Sequence, residues 1–249
     1  MRLEELLPRG RGVWIALDHC VSRPLSGLSD IGRLIGSLEA VDALVAHKGV
    51  VRHFQGDDAS FVMHLSASTV HGGRHADDKV LVGTVAEAAK HGALGVSVQV
   101  NLGSEHEPAM LERLGRVSSQ CAELGMPLLG MIYPSGPNLS LDPDDPTDGV
   151  AHCARLGFEL GCDVVKVPWT GDAESFSRVI AGVPIPVLVA GGSDDGNPER
   201  LFSIIESAML VGASGVCIGR NVFNSPDPAA VVSRIHAIIH GPEPMQVVD

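Results

Sequence analysis

The sequence is poor in aromatic residues, with six Phe, two Trp and one Tyr among 249 residues. It is also poor in positive charge: 18 Lys and Arg stand against 30 Asp and Glu, a formal net charge of −12. A nucleic-acid groove needs a cationic stripe and stacking rings, so this balance argues against DNA or RNA as a partner. Anionic lipid should repel such a chain, and no run approaches the ~18 uninterrupted apolar residues of a membrane span. The opening segment MRLEELLPRGRG carries charges where a secretory signal would need an apolar run. There is no CxxC pair. The five cysteines, Cys20, Cys121, Cys153, Cys162 and Cys217, are scattered and odd in number. They are expected to be reduced core thiols of a cytoplasmic protein. HExxH is absent, and no GxGxxG follows the first apolar run. His71 and His75 are four residues apart, but Gly72 and Gly73 between them oppose a helix that would present both to a metal. The expectation is therefore a chain without metal or cofactor.

What the sequence does have is a rhythm. Short apolar runs recur at Val13–Asp18, Val41–His47, Ser60–Leu65, Leu94–Asn101, Pro127–Pro134, Asp163–Pro168, Ile185–Gly192 and Gly215–Gly219. Several lack polar alternation, which is how strands buried on both faces read. Helix-patterned segments separate most of them, as in Leu111, Leu114, Val117, Cys121 and Leu124. Gly92, Gly125, Gly161 and Gly212 sit where helices end, and Pro108, Pro198 and Pro228 near where they begin. Eight units in 249 residues is about 31 residues each, the usual unit of a (β/α)8 TIM barrel. The sequence predicts one such barrel domain over residues 1–249, in preference to an open doubly wound sheet. Ser66–Lys79 reads as an extended loop, Val80–Val82 as a candidate extra strand, and Pro242–Asp249 as a frayed tail.

In a barrel the chemistry gathers at the C-terminal ends of the strands. Lys166 is the most informative residue there, a lysine inside the apolar strand CDVVKVPW. A desolvated lysine lowers its pKa toward ~7–8 and becomes an amine nucleophile for carbonyls. The alternative is a buried ion pair with Asp18 or another acid. The chain has only four lysines: Lys79 and Lys90 read as solvated surface groups, and Lys48, at the end of the second strand, is the one rival. Tyr133, the only tyrosine, ends the fifth strand in LLGMIYPSG. It is either a proton shuttle, with its pKa lowered by a nearby ammonium, or a core residue with a wet tip. Asp18, ending IALDHC, could hold water, take a hydroxyl proton or pair with a lysine. His19 beside it either contacts substrate or bonds backbone. VLVAGGS and VCIGRNVF end the last two strands. Gly191, Gly192, Ser193, Gly219 and Arg220 form either an anion cradle or tight turns.

Taken in order, IALDHC, LVAHKGVVRH, VNLGSE, MIYPSG, VVKVPWTGD, VAGGS and GASGVCIGRNVF span nearly the whole chain. Together they resemble the archaeal-type class I aldolase family. That family includes fructose-bisphosphate aldolases, 2-amino-3,7-dideoxy-D-threo-hept-6-ulosonate synthases and aldolases of aminohydroxybenzoate pathways. KVPWTGD looks closer to the heptulosonate synthase branch. The resemblance implies a metal-independent TIM-barrel enzyme with its Schiff-base lysine at Lys166, its acid/base tyrosine at Tyr133 and its first-strand acid at Asp18. It also implies phosphate contacts at Gly191, Gly192, Gly219 and Arg220. The expected chemistry joins a small ketone such as dihydroxyacetone phosphate, or a ketose phosphate, to an aldehyde such as aspartate semialdehyde. The alternatives are fructose-bisphosphate aldolase-like activity or a non-catalytic sugar-phosphate-binding barrel. Homo-oligomers, commonly decamers, are also implied. Three departures stand out: Trp169 for the family's Tyr, Cys20 for its Gly, and Ser193–Asp194 for its Pro-Lys. The last exchanges a cation for an acid where the phosphate is expected.

Overall fold

The computed structural model describes residues 2–56, 59–140, 142, 144–192 and 196–241. Eight strands, β1 (Gly12–Ala16), β2 (Ala43–Ala46), β3 (Phe61–His64), β4 (Gly95–Leu102), β5 (Leu128–Pro134), β6 (Val164–Val167), β7 (Val187–Ala190) and β8 (Gly215–Ile218), form a closed barrel. Every neighbouring pair is parallel, and β8 closes on β1 with Val13 opposite Val216. This is the (β/α)8 TIM barrel that the apolar rhythm implies.

The runs of Val, Ile and Leu have no polar face because each strand is covered on both sides. Alternate residues divide between two clusters. In β6, Val165 and Val167 join the layer packed under the helices, whereas Val164 joins the barrel interior with Ala16, Met131, Leu188 and Cys217. The same alternation turns Lys166 inward. The helix Glu107–Leu124 illustrates the outer layer: it buries Met110, Leu114, Val117 and Cys121 along one stripe, and Gly125 ends it at φ 60°.

The floor of the barrel is closed by the segment before β1. Leu6, from the short helix Arg2–Leu6, and Leu7 enter the interior cluster, and Trp14 Nε1 donates to the Leu6 carbonyl at 2.7 Å. The charged opening of the sequence gives no hint of this, because only every few residues is apolar.

Two expectations are corrected. The stretch after β3 is not simply an extended loop: Ser66–Ala67 pairs antiparallel with Val80–Leu81, and a 3-10 turn at Val70–His75 joins them. Four cysteines are free and buried, but Cys20 is exposed, because it lies on the short rim helix His19–Ser22. The tail Pro242–Asp249 lies outside the described residues. Among the described residues no helix is long and apolar enough to cross a membrane.

Leu6→Ala should cost about 2–4 kcal/mol by opening a cavity in the barrel floor. Urea unfolding checks this, with the mouth of the barrel unaltered.

Candidate active site

The C-terminal ends of the strands surround a cavity of about 450 Å³, whose lining includes Lys166, Tyr133, His19, Gly192 and Arg220. A smaller recess of about 80 Å³ continues from it and adds Asp18, His47 and His64. Strand register explains the gathering. Lys166 lies level with Met131 and Leu188 on its two neighbours, so it is the inward residue of the top apolar layer. It is 6% exposed. Tyr133 sits two residues beyond Met131 on β5 and therefore points the same way, one layer higher. Lys48, the rival lysine, begins a helix outside the cavity, where it pairs with Glu87 at 3.3 Å.

Asp18 leaves the end of β1 with both oxygens engaged loosely. His19 Nδ1 is 3.3 Å from Oδ1 and His64 Nε2 is 3.7 Å from Oδ2, yet Oδ1 completes no hydrogen bond despite its burial. An under-used buried acceptor of this kind suits a group that must bind a hydroxyl or a proton. His64 is fixed from behind: its Nδ1 meets Ser97 Oγ at 2.8 Å, and Ser66 Oγ lies 3.3 Å from Nε2. The Gln99 amide N–H donates to that same Ser66 oxygen, and the Gln99 side chain continues to Asn101. His19 packs edge-on against Phe223, with ring centroids 5.4 Å apart.

Burial raises the Asp18 carboxyl, but the polar contact from His19 and the nearby His64 and Lys166 outweigh it and hold the group below the ordinary carboxylate range. Burial pushes His64 down to about 3 against the pull of Asp18, so the ring is neutral at neutral pH. His47 is also lowered, chiefly by burial. For Lys166 burial acts downward, while the neighbouring Cys217, Tyr133 and Asp18 act upward and win. Burial itself raises both Cys217 and Tyr133, so each is protonated near neutrality. That leaves Asp18 as the anion facing the ammonium. Two expectations change accordingly. The resting Lys166 is not lowered toward neutrality, because Cys217, Tyr133 and Asp18 together outweigh its burial. Tyr133 is raised rather than lowered, because desolvation of the phenolate exceeds the help from Lys166.

The loops after β7 and β8 meet beside the end of β1. Arg220 Nη2 donates to the Gly192 carbonyl at 2.7 Å, which ties the two loops together. Gly192 has φ +68°, and a Cβ on Gly219 would lie 2.5 Å from the Ala16 carbonyl and 2.7 Å from the His19 ring. Gly219 thus has a packing reason for being glycine. Gly191, Gly192, Gly219 and Arg220 all line the cavity, and Ser193 lies outside the described residues.

Sequence reasoning missed several lining residues, His64 and Gln99 among them, and misread one. Lys79, read as solvated, is partly buried and lines both the cavity and its recess. Burial pushes its pKa down against Asp18 and Asp77. The only hint was the candidate strand at Val80–Val82, which places Lys79 at the start of a ribbon standing on the barrel mouth. Among the described residues, one group with metal-binding spacing occurs, His75, Asp78 and His106, with ligand atoms within 4.8 Å of one another. It lies outside the cavity lining, and the Arg113 guanidinium already neutralises Asp78 there.

Residues 17–225 match the DeoC/LacD family of aldolases. This chain belongs to the DeoC/LacD aldolase family. It is an aldolase-type enzyme, and similar proteins narrow its place in the family. The chain is 39% identical over 244 residues to 2-amino-3,7-dideoxy-D-threo-hept-6-ulosonate synthase 1 of Archaeoglobus fulgidus, covering 96% of this chain and 90% of the relative. It is 39% identical over 232 residues to 2-amino-4,5-dihydroxy-6-oxo-7-(phosphonooxy)heptanoate synthase of Streptomyces griseus, covering 91% and 84%. A solved archaeal fructose-1,6-bisphosphate aldolase, with its catalytic Lys bound to the carbinolamine intermediate of the substrate, superposes with a TM-score of 0.85. The identity is 25%, over 96% of this chain and 98% of that one.

The neutral His64 makes the fold acid-sensitive. Its folded pKa of about 3 lies below the ordinary 6.5, so between those values the unfolded chain binds a proton that the folded one refuses. Stability should therefore fall as pH drops through that window, by up to about 1.4 kcal/mol per pH unit from this group. Urea unfolding of wild type and His64→Gln at several pH values between 7 and 4 should show a shallower loss in the variant.

Proposed function

We propose that this enzyme joins a small ketone donor to an aldehyde acceptor through a Schiff base on Lys166. The observation that carries the reading is a buried lysine at the mouth of an aldolase-family barrel, lining one recess with Tyr133 and Asp18. The free amine forms a bond to the donor's ketone carbon, giving a carbinolamine. Tyr133 protonates the departing hydroxyl, which leaves as water, and an iminium results. The iminium draws electrons from the adjacent carbon. Loss of a proton from a small ketone, or cleavage of the adjacent C–C bond in a ketose phosphate, gives the enamine. The enamine carbon attacks the aldehyde, its alkoxide takes a proton, and water releases the product. Asp18 orients or accepts the hydroxyl proton.

The names of the two relatives support the choice of substrates. Breaking the C4–C5 bond of either product leaves the same four-carbon acceptor, 2-amino-4-oxobutanoate, which is aspartate semialdehyde. The three-carbon halves differ, one ending in a phosphate and the other in a methyl group. For this chain we infer a phosphorylated donor such as dihydroxyacetone phosphate, held by Gly191, Gly192, Gly219 and Arg220, with His19 beside the donor. A homo-oligomer in the cytoplasm, with a decamer as the expected form, completes the reading. The almost fully exposed Leu210 on an outer helix suits a subunit contact.

Borohydride in the presence of dihydroxyacetone phosphate should trap the donor covalently on Lys166, read by peptide mass spectrometry. Label on Lys48, or none with any ketone, overturns the mechanism. Lys166→Ala should abolish trapping, whereas Tyr133→Phe should retain it and slow turnover by about 10²–10⁴-fold. Hydroxyacetone trapping more readily than dihydroxyacetone phosphate would overturn the phosphorylated donor alone.

A pH effect follows from Asp18. The ammonium must lose its proton before attack, and its pKa is raised, so the rate of imine formation should climb with pH through the neutral and alkaline range. Asp18→Asn removes the facing anion and should move that climb to lower pH. Stopped-flow measurement of donor trapping against pH checks the direction.

A further inference from the structure

Lys79 has no task in the chemistry described above, yet it occupies the same cavity as Lys166. Its position follows from the barrel's order. Gly192 and Arg220 follow β7 and β8, and the strands that face these across the ring are β3 and β4. The segment that carries Lys79 lies between β3 and β4 in the chain and stands over their ends. The mouth therefore carries cationic poles on opposite walls, Arg220 with Arg23 after β1 as one and Lys79 as the other, with the Lys166 amine in the lining between them.

The second pole is built with care for its position. Asp77 accepts at its side chain from Ser104 Oγ at 2.6 Å and at its carbonyl from Asn101 Nδ2 at 2.8 Å. Asp78 pairs with Arg113, which also donates to the Lys79 carbonyl at 3.1 Å. The residue after Lys79 enters the antiparallel pairing with Ala67. Backbone and neighbours are thus pinned while the ammonium is left over: among the described residues Lys79 Nζ makes no hydrogen bond or ion pair. A partly desolvated ammonium without a direct partner, placed near a second buried ammonium, is a site that an anion completes. Burial lowers its pKa against the pull of Asp18 and Asp77, neither of which pairs with it directly.

We propose that Lys79 anchors the carboxylate of the acceptor aldehyde and so makes the enzyme selective for aldehydes that carry one. The inference rests on the aldolase reading of the same cavity. With the donor's phosphate at Arg220 and its ketone carbon on Lys166, the acceptor enters from the remaining side. Its aldehyde carbon must face the enamine, which turns its far end toward the wall of β3 and β4. A four-carbon amino-acid semialdehyde presents a carboxylate at that end. Lys79 touches the acceptor and not the reacting carbon, so it sets acceptor affinity rather than the rate of the bond-forming step.

The experiment compares wild type, Lys79→Gln and Lys79→Arg with dihydroxyacetone phosphate as donor. The acceptors are aspartate semialdehyde and propionaldehyde, an uncharged control. The expected result is a rise in KM for the semialdehyde of about 10²-fold in Lys79→Gln, with partial recovery in Lys79→Arg. The preference for the carboxylated over the uncharged acceptor should fall by the same factor. Borohydride trapping of donor on Lys166 should persist, which also shows that the variant is folded. Trapping that persists with an unchanged acceptor preference overturns the assignment of Lys79 and leaves the Schiff-base reading intact. Weakened trapping of donor in Lys79→Gln also overturns it, by placing the residue at the donor. No trapping in wild type removes the aldolase mechanism itself, and this inference with it.

Discussion

The balance between the burial of Lys166 and the neighbours that oppose it, Cys217, Tyr133 and Asp18, governs the site. A buried amine alone would lose its proton, and a buried carboxylate alone would gain one. Together they keep opposite charges in a place where neither would be stable by itself. The arrangement costs the enzyme a reactive free amine at rest. In exchange it preserves a cavity whose charges are fixed before substrate arrives, which is the condition for electrostatic catalysis.

Everything around that pair limits its freedom. Cys217 and Tyr133 flank the amine as neutral groups, so their dipoles rather than their charges face it. His64 is neutral as well and hydrogen-bonded to Ser97, so it holds its place beside Asp18 without competing for the carboxylate's charge. The chain of bonds through Ser66, Gln99 and Asn101 then carries this order outward to the ribbon after β3. A short polar network thus joins the floor of the recess to the loop that bears Lys79. Such a network rigidifies a site when its members are satisfied.

Much of the barrel was legible in the sequence because its strands are buried on both faces. Runs such as VLVA and GVCI admit few readings once helices are seen between them. Lys166 was legible for the same reason: a lysine flanked by Val165 and Val167 breaks a rule that the rest of the strand obeys. Lys79 was not. In ADDKV it follows two acids, and that context reads as a solvated turn. The partners that bury it, Asn101, Ser104 and Arg113, stand more than twenty residues away and are themselves unremarkable in sequence. The sequence left two charge states of Lys166 open, a free amine and a buried ion pair with Asp18, for a related reason. Spacing places Asp18 and Lys166 on different strands, and their mutual distance depends on closure of the ring.

The sequence by itself determined the alternation of strands and helices, the parallel barrel and the place of Lys166 within an apolar strand, because apolar runs and helix-spaced segments are local properties of the chain. The resemblance among its strand-end motifs also determined the chemical class. Only the tertiary structure decided the protonation of the site and the second cationic pole. Both depend on desolvation and on charges brought close by folding, and those exist only once strands far apart in sequence share one cavity.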